Sequence, residues 1–189
     1  MAVRDIVLYL DNEAALRKKS QPVRRVTRRV KRLVQDLKGT LNDHANGVGL
    51  AAPQIGVHSR VVVVRLGGGR DDEENARKPD PPIALIDPRI VEAGDEKRDF
   101  DGCLSFPGLY GETVRPHHLR VTGLDEVGHP FDRLFEGFDA VIVHHEIDHL
   151  DGVLFIDRVE NIEDLCRVRE GENGELVRVP VSADVSLSF

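Results

Sequence analysis

The sequence predicts an α+β fold on three observations: a helical apolar period near the N-terminus, a middle region of short β-branched runs set between turn residues, and a second helical period late in the chain. With 189 residues the chain can bury one core, and we expect a single domain over residues 1–189. A hydrophobic content of 40% and a charged content of 31% are those of an ordinary soluble globule. The net charge of −7 gives no global reason to bind nucleic acid, and no specific DNA partner is expected. Cys103 and Cys166 form no close pair, which argues against a disulfide framework and for a reducing cytoplasm. The first apolar run is too short, and too soon interrupted by acids, to read as a signal peptide. No stretch is apolar for long enough to span a membrane.

In residues 23–41 the apolar positions Val23, Val26, Val30, Leu33, Val34, Leu37 and Leu41 fall at helical spacing, with a basic opposite face. Ser20 or Thr27 offers a cap at its start, and Gly39 weakens its end. "NGVGLAAPQIG" (46–56) is too rich in glycine for a helix and predicts a loop or an irregular edge. "RVVVVRL" (60–66) predicts a buried strand, and the polar segment 67–82 a surface loop. Residues 83–91, 118–126 and 131–135 predict further strands. From Phe138 the period turns helical again, with Phe138, Val141, Ile142, His145 and His149 on one face. Beyond it we expect helix around 161–169 and strand-like alternation in "GELVRVPVS" (174–182). There is no internal repeat.

The late helix carries "HHEIDHLDG" (144–152). His145 and His149 are four residues apart, so on a helix both imidazoles project to the same side and can share one tetrahedral metal. Glu146, beside the first of them, occupies the general-base position of an H-E-x-x-H arrangement. A third protein ligand is required. No histidine follows His149, which leaves a later carboxylate such as Glu170, or Cys103 in "DFDGCLSFPG", whose thiolate suits a divalent transition metal. Cys166, set among charged residues, reads as a structural thiol. His144 points about 100° away from its neighbour and reads as an orienting or surface imidazole. Asp148 either orients a ligand imidazole or is simply a polar helix residue.

"GVGLAAPQ" (47–54), "DGCLS" (101–105) and "HEIDHLDG" (145–152), in that order, resemble the three signature segments of the peptide deformylases. "LRKKSQPV" and "VLFIDRV" extend the likeness, which reaches to about residue 159 and leaves the tail uncovered. The resemblance implies a single catalytic domain with mixed or antiparallel sheets around a central metal-binding helix. It further implies that Cys103, His145 and His149 hold the metal and that Glu146 is the base. Gln54 and the N–H of Leu104 would stabilise the oxyanion, and Gly49 would give a backbone contact to substrate. The implied activity is removal of the N-formyl group from the initiator methionine of new polypeptides, with Fe(II) as the usual metal and Zn(II) as a substitute.

Three positions depart from the family pattern. Asp101 stands where glutamate is usual, with Arg115 as its expected basic partner. His144 stands for glutamine, and Tyr110 replaces a basic residue that contacts the substrate backbone. Val48, Phe138, Val141 and Ile142 are expected to form an apolar slot for an unbranched methionine side chain. Arg24, Arg25, Arg28, Arg29, Lys31 and Arg32 read either as a solvated face or as a transient docking face for the ribosome. Two other functions fit parts of the sequence. One is a protein of this fold that binds N-termini without cleaving them; the other is a zincin-type endopeptidase with Glu170 as third ligand.

Overall fold

The computed structural model describes residues 2–67, 81–170 and 176–181. Most of the loop expected over 67–82, and the last residues of the tail, lie outside the described residues. The elements in chain order are α1 (Tyr9–Arg17), α2 (Arg28–Asp43), β1 (Gly49–Ala51), β2 (Val61–Val64), β3 (Ile83–Gly102), β4 (Leu109–Leu124), β5 (Pro130–Glu136), α3 (Phe138–Asp151), β6 (Leu165–Glu170) and β7 (Leu176–Pro180). The strands form one seven-stranded sheet in the order β1-β2-β3-β4-β6-β7, and β5 also pairs with β4. Every strand pairing is antiparallel, so of the mixed and antiparallel options the structure takes the second.

The run of four valines in β2 shows how sequence places the helices. Val62 and Val64 pack with Ala140, Val143, Ile147 and Leu150 of α3, whereas Val61 and Val63 pack with Val34, Leu37 and Leu41 of α2. Successive side chains on a strand point to opposite faces, so a strand covered by a helix on each face is apolar throughout. The helix α3 is consequently the buried axis of the fold, with every residue from Ala140 to Leu150 inside. A third apolar cluster gathers Leu16, Phe106, Leu154, Phe155, Leu165 and Val181, tying α1 and the C-terminal strands to the turn between β3 and β4.

Several element bounds differ from the sequence expectation. The first long helix begins at Arg28, not at 23, because Thr27 accepts a hydrogen bond from the N–H of Val30 at 3.4 Å while Gln21 bridges to Ser59. It runs through Gly39 to Asp43. Strand β3 is 20 residues long and β4 16, so the expected strands at 83–91 and 118–126 are the outer ends of one long hairpin. Residues 161–169 are not helical: after a 3₁₀ turn at Ile162–Asp164 the chain pairs as β6 with β4 and β7. Of the alternation expected at 174–182, Leu176–Pro180 form β7, and residues 174, 175 and 182 lie outside the described residues. The short helix α1, kinked at Asn12, was not signalled by the sequence. No described helix is long and apolar enough to cross a membrane.

Candidate metal centre

The long β3–β4 hairpin delivers one part of the site and α3 the other. Cys103 is the first residue of the hairpin turn, which is closed by N–H donation from Phe106 to the Cys103 carbonyl at 2.9 Å and from Leu109 to the Phe106 carbonyl at 3.1 Å. That turn lies against the flank of α3 carrying His145 and His149. One ligand atom from each of Cys103, His145 and His149 lies within 4.8 Å of the others, and Cys103 Sγ is 3.2 Å from His149 Nε2. The third position expected of either Glu170 or Cys103 is therefore taken by Cys103. The centre is a Cys/His/His triad of the kind that binds divalent transition metals.

A second set of contacts fixes the ligands. Asp101 accepts from His145 Nδ1 at 2.9 Å, from Arg115 Nε at 2.7 Å and from Thr113 Oγ1 at 3.3 Å. A proton on His145 Nδ1 leaves Nε2 free as a ligand, so the longer approach of Arg115 to Nδ1 at 3.3 Å is a contact between two donors. Arg115, 0% exposed, also donates to Asp148 Oδ2 and to His144 Nδ1, each at 2.8 Å. Arg158 closes the network on Asp148 at 2.7 and 3.0 Å.

The Asp101–Arg115 pairing holds as expected despite the shorter acid. His144 is not a surface imidazole: burial pushes its pKa down to about 4, and the neutral ring accepts from Arg115. Asp148 orients no ligand imidazole; its carboxylate joins Arg115 to Arg158. Sequence reasoning gave no role to Thr113, Arg158 or Ser105, although Ser105 and Arg158 fall inside the segments 101–105 and 153–159 quoted above.

Electrostatics favour positive charge at this place. Burial works against charge on both ligand imidazoles, but Asp101 reverses the effect at His145 and raises it well above the ordinary range. Burial and then charged His145 hold His149 well below it. Asp101 itself, though penalised by burial, is kept ionised by His145 and Arg115. Burial raises Glu146 to about 7, opposed by His145. The carboxylates of Asp101, Glu146 and Asp148 and the sulfur of Cys103 gather at this centre beside Arg115 and Arg158, a donor-rich setting suited to a cation. Among the described residues Glu146 Oε2 and His149 Nδ1 are buried without a hydrogen-bond partner, a further mark of an incomplete polar centre. The residues fit a divalent transition metal.

Gly49 opens β1, and Gln54 lies in the 3₁₀ turn Ala52–Ile55 that follows it. The Oε1 of Gln54 accepts from the N–H of Ala51 at 2.8 Å, which aims Nε2 at Cys103 Sγ, 3.4 Å away, and at Ser105 Oγ, 3.2 Å away. Gly49 lies against the base: a Cβ there would fall 2.3 Å from Glu146 Oε1, so only glycine lets the strand approach. A cleft of about 610 Å³ opens over the centre. Its lining includes Glu146, Cys103 and Leu104, together with all four expected slot residues, Val48, Phe138, Val141 and Ile142. Ile6, Leu8 and Phe106 join them unforeseen. Tyr110 stacks on Phe100 with centroids 5.4 Å apart, and Arg178 of β7 covers the other aromatic at 3.9 Å, so the tail beyond the resemblance supports the cleft wall.

The polypeptide deformylase family model matches residues 3–164. The chain is 45% identical over 163 residues to the peptide deformylase of Desulforudis audaxviator, covering 86% of this chain and 97% of that one. Among solved structures it is similar to a peptide deformylase from Legionella pneumophila, with a TM-score of 0.72, 39% identity and coverage of 84% of this chain and 87% of that one. A class I type b peptide deformylase from Acinetobacter baumannii, solved with Met-Ala-Ser bound, gives a TM-score of 0.73 at 28% identity, covering 84% and 99%.

Proposed function

The chain belongs to the polypeptide deformylase family, and from that membership we propose how its residues hydrolyse the formyl amide on the N-terminal methionine of newly made polypeptides, releasing formate. The observation that carries the reading is a thiol and two imidazoles within 4.8 Å of one another beside a buried carboxylate, under an open cleft. When bound, a divalent transition metal supplies Lewis acidity, polarising a carbonyl and bringing the pKa of a water toward neutrality. Cys103, His145 and His149 would hold it. We assign Fe(II) as the metal in the cell, with Zn(II) or another divalent transition metal able to take its place, since this donor set suits the class without selecting within it.

The rest of the reaction falls to the chain's own groups. Glu146 takes a proton from the water as its oxygen attacks the formyl carbon. Negative charge then grows on the formyl oxygen, and the donors we assign to it are Gln54 Nε2, held in place through Ala51, and the backbone N–H of Leu104. Glu146 returns the proton to the amide nitrogen as the C–N bond breaks, and formate and a free amine leave. The backbone at Gly49 steadies the substrate main chain. Val48, Phe138, Val141 and Ile142 receive the methionine side chain, in keeping with the methionine-led peptide on the Acinetobacter relative. We place this single catalytic domain in the cytoplasm, in transient association with the ribosome.

The decisive assay is anaerobic formate release from a formyl-Met tripeptide with defined metals restored. The expected result is metal-dependent release, with kcat/KM for formyl-Met at least about tenfold above formyl-Ala, since one methylene in an apolar pocket counts for about 1–3 kcal/mol. Equal values would remove the slot. Absence of formate with every metal would leave a binding protein, and cleavage inside a blocked peptide would make it an endopeptidase.

A further inference from the structure

We propose that Arg178 of β7 is a specificity-determining residue, selecting peptides with a carboxylate side chain at the third or fourth residue, formylmethionine being the first. This rests on the deformylase reading above and adds a substrate class to the same site. The sheet register brings the groups together. Opposed residues of an antiparallel pair share a face, as do alternate residues of one strand. Gly102 is opposite Tyr110, Tyr110 is opposite Cys166, and Val168, two residues on from Cys166, is opposite Arg178. Phe100, Tyr110 and Arg178 therefore stand on one side of the sheet. The Phe100 and Tyr110 rings stack at 5.4 Å with 6° between their planes, across Gly102, where a Cβ would fall 2.5 Å from the Tyr110 ring. The Arg178 guanidinium lies 3.9 Å from the centre of the Phe100 ring. The family match ends at residue 164, so this cation comes from the part of the chain beyond it.

A guanidinium over an aromatic ring still has N–H donors to spare, in a fork that matches a carboxylate. The protein does not take up that fork. Among the described residues Arg178 pairs with no carboxylate, whereas Arg98, on the same side of the sheet, meets Glu112, Glu160 and Asp164. Packing on Phe100 alone would be met by an apolar side chain; an exposed arginine adds a charge that packing does not use. The cleft offers an acidic substrate no other such partner: among its described lining residues none is lysine or arginine, and Asp101 and Glu146 are acids. Phe100 and Tyr110 both line that cleft. Phe100 precedes Cys103 by three residues, about 10 Å along the strand at about 3.3 Å per residue. A peptide leaving the centre along this wall advances about 3.3–3.6 Å per residue, so its third and fourth residues come level with Phe100. A carboxylate there meets the open fork of Arg178, and a lysine is repelled.

The test is formate release from peptide amides that differ at one position: formyl-Met-Ala-Asp-Ala against formyl-Met-Ala-Lys-Ala, and the same exchange at the fourth residue. Amides remove the terminal carboxylate as a second anion. Each enzyme is scored by its own ratio of kcat/KM for the acidic over the basic peptide, so a general change in activity cancels. The wild-type ratio should be at least about threefold at one of the two positions, carried by KM and not by kcat, and should fall as salt is raised. Arg178→Gln should bring the ratio to about one, and Arg178→Glu should carry it below one. Arg178→Lys, which keeps the charge, should retain part of the preference. Arg89→Gln removes a charge about 35 Å away along β3, at about 3.3 Å per residue, and should match the wild type. A wild-type ratio near one at both positions overturns the proposal and leaves the deformylase reading standing. So does a preference that survives in Arg178→Glu, which would make Arg178 only a clip between strands. An equal loss in Arg89→Gln, the mark of a general field, overturns it as well. No formate from any peptide with any metal restored overturns the deformylase reading, and this proposal with it.

Discussion

Glu146 is held where folding alone would not put a carboxylate: inside the protein, with Oε2 unpartnered among the described residues, against a strand whose Gly49 has no side chain to cover it. If it acts as a base and not as a ligand, Glu146→Gln should fold, retain close to one metal per chain, and lose about 10²–10⁴-fold in kcat, the usual scale for such a proton acceptor. His149→Ala removes a donor atom, so metal content and activity should fall together. Metal analysis beside kinetics separates the two, and a metal-free Glu146→Gln would place Glu146 among the ligands. The His145, Glu146 and His149 arrangement was legible in the sequence because four-residue spacing on a helix is local geometry. Cys103 was one of two candidates until the resemblance named it. The parts played by Ser105, Thr113 and Arg158 were not legible, since each depends on a partner brought near only by the fold.

Helix α3 ends at Gly152, with φ 75°, and a Cβ there would meet the carbonyl oxygen of Arg17 at 2.1 Å. The end of α1 is thus seated directly on the cap of the helix that carries both ligand histidines, and Ser20 donates its N–H to Leu150 at 2.8 Å in the same junction. Gly152→Ala adds left-handed strain of about 1–2 kcal/mol to a backbone collision. The strain alone lowers Tm by roughly 2–8 °C, at about 2–4 °C per kcal/mol for a chain of this size, and calorimetry would show it. An unchanged Tm would mean that α1 is not pressed on the cap. At this scale the sequence was read well where periodicity was strong, as in α2, α3 and the valines of β2. Helix α1 escaped notice because only Leu16 is buried and Asn12 breaks its turn. Residues 161–169 misled because their strand state comes from pairing with Leu109–Gly111 and with β7, not from their own pattern.

Across the whole molecule, one side chain joins sheet to helix. Arg115 of β4 reaches Asp101 at the end of β3 and Asp148 in α3, with no solvent on any part of it. The strand order explains why such a cation is needed: β3 and β4 bring an acid to the sheet end, and α3 presents another from the opposite side. Arg115→Met keeps the bulk and removes the charge, leaving two buried carboxylates short of a partner. Loss of one member of such a group costs about 3–5 kcal/mol. A Tm lower by roughly 6–20 °C is expected on the same scale. Metal affinity should weaken by about 10–100-fold as Asp101 loses its hold and His145 with it. If thermal unfolding of Arg115→Met matches wild type, the sheet and helix are joined by apolar packing alone.

The centre joins Cys103 to His149, positions 46 residues apart, and so spans a hairpin and a helix that the chain reaches at different times during synthesis. A bond across that distance restricts the open chain as a crosslink does, and an ion that binds only the folded form holds it closed in proportion to its concentration. Starved of metal, the chain should spend more time partly open, where proteases reach it. Metal supply would then set how many copies of the protein a cell keeps.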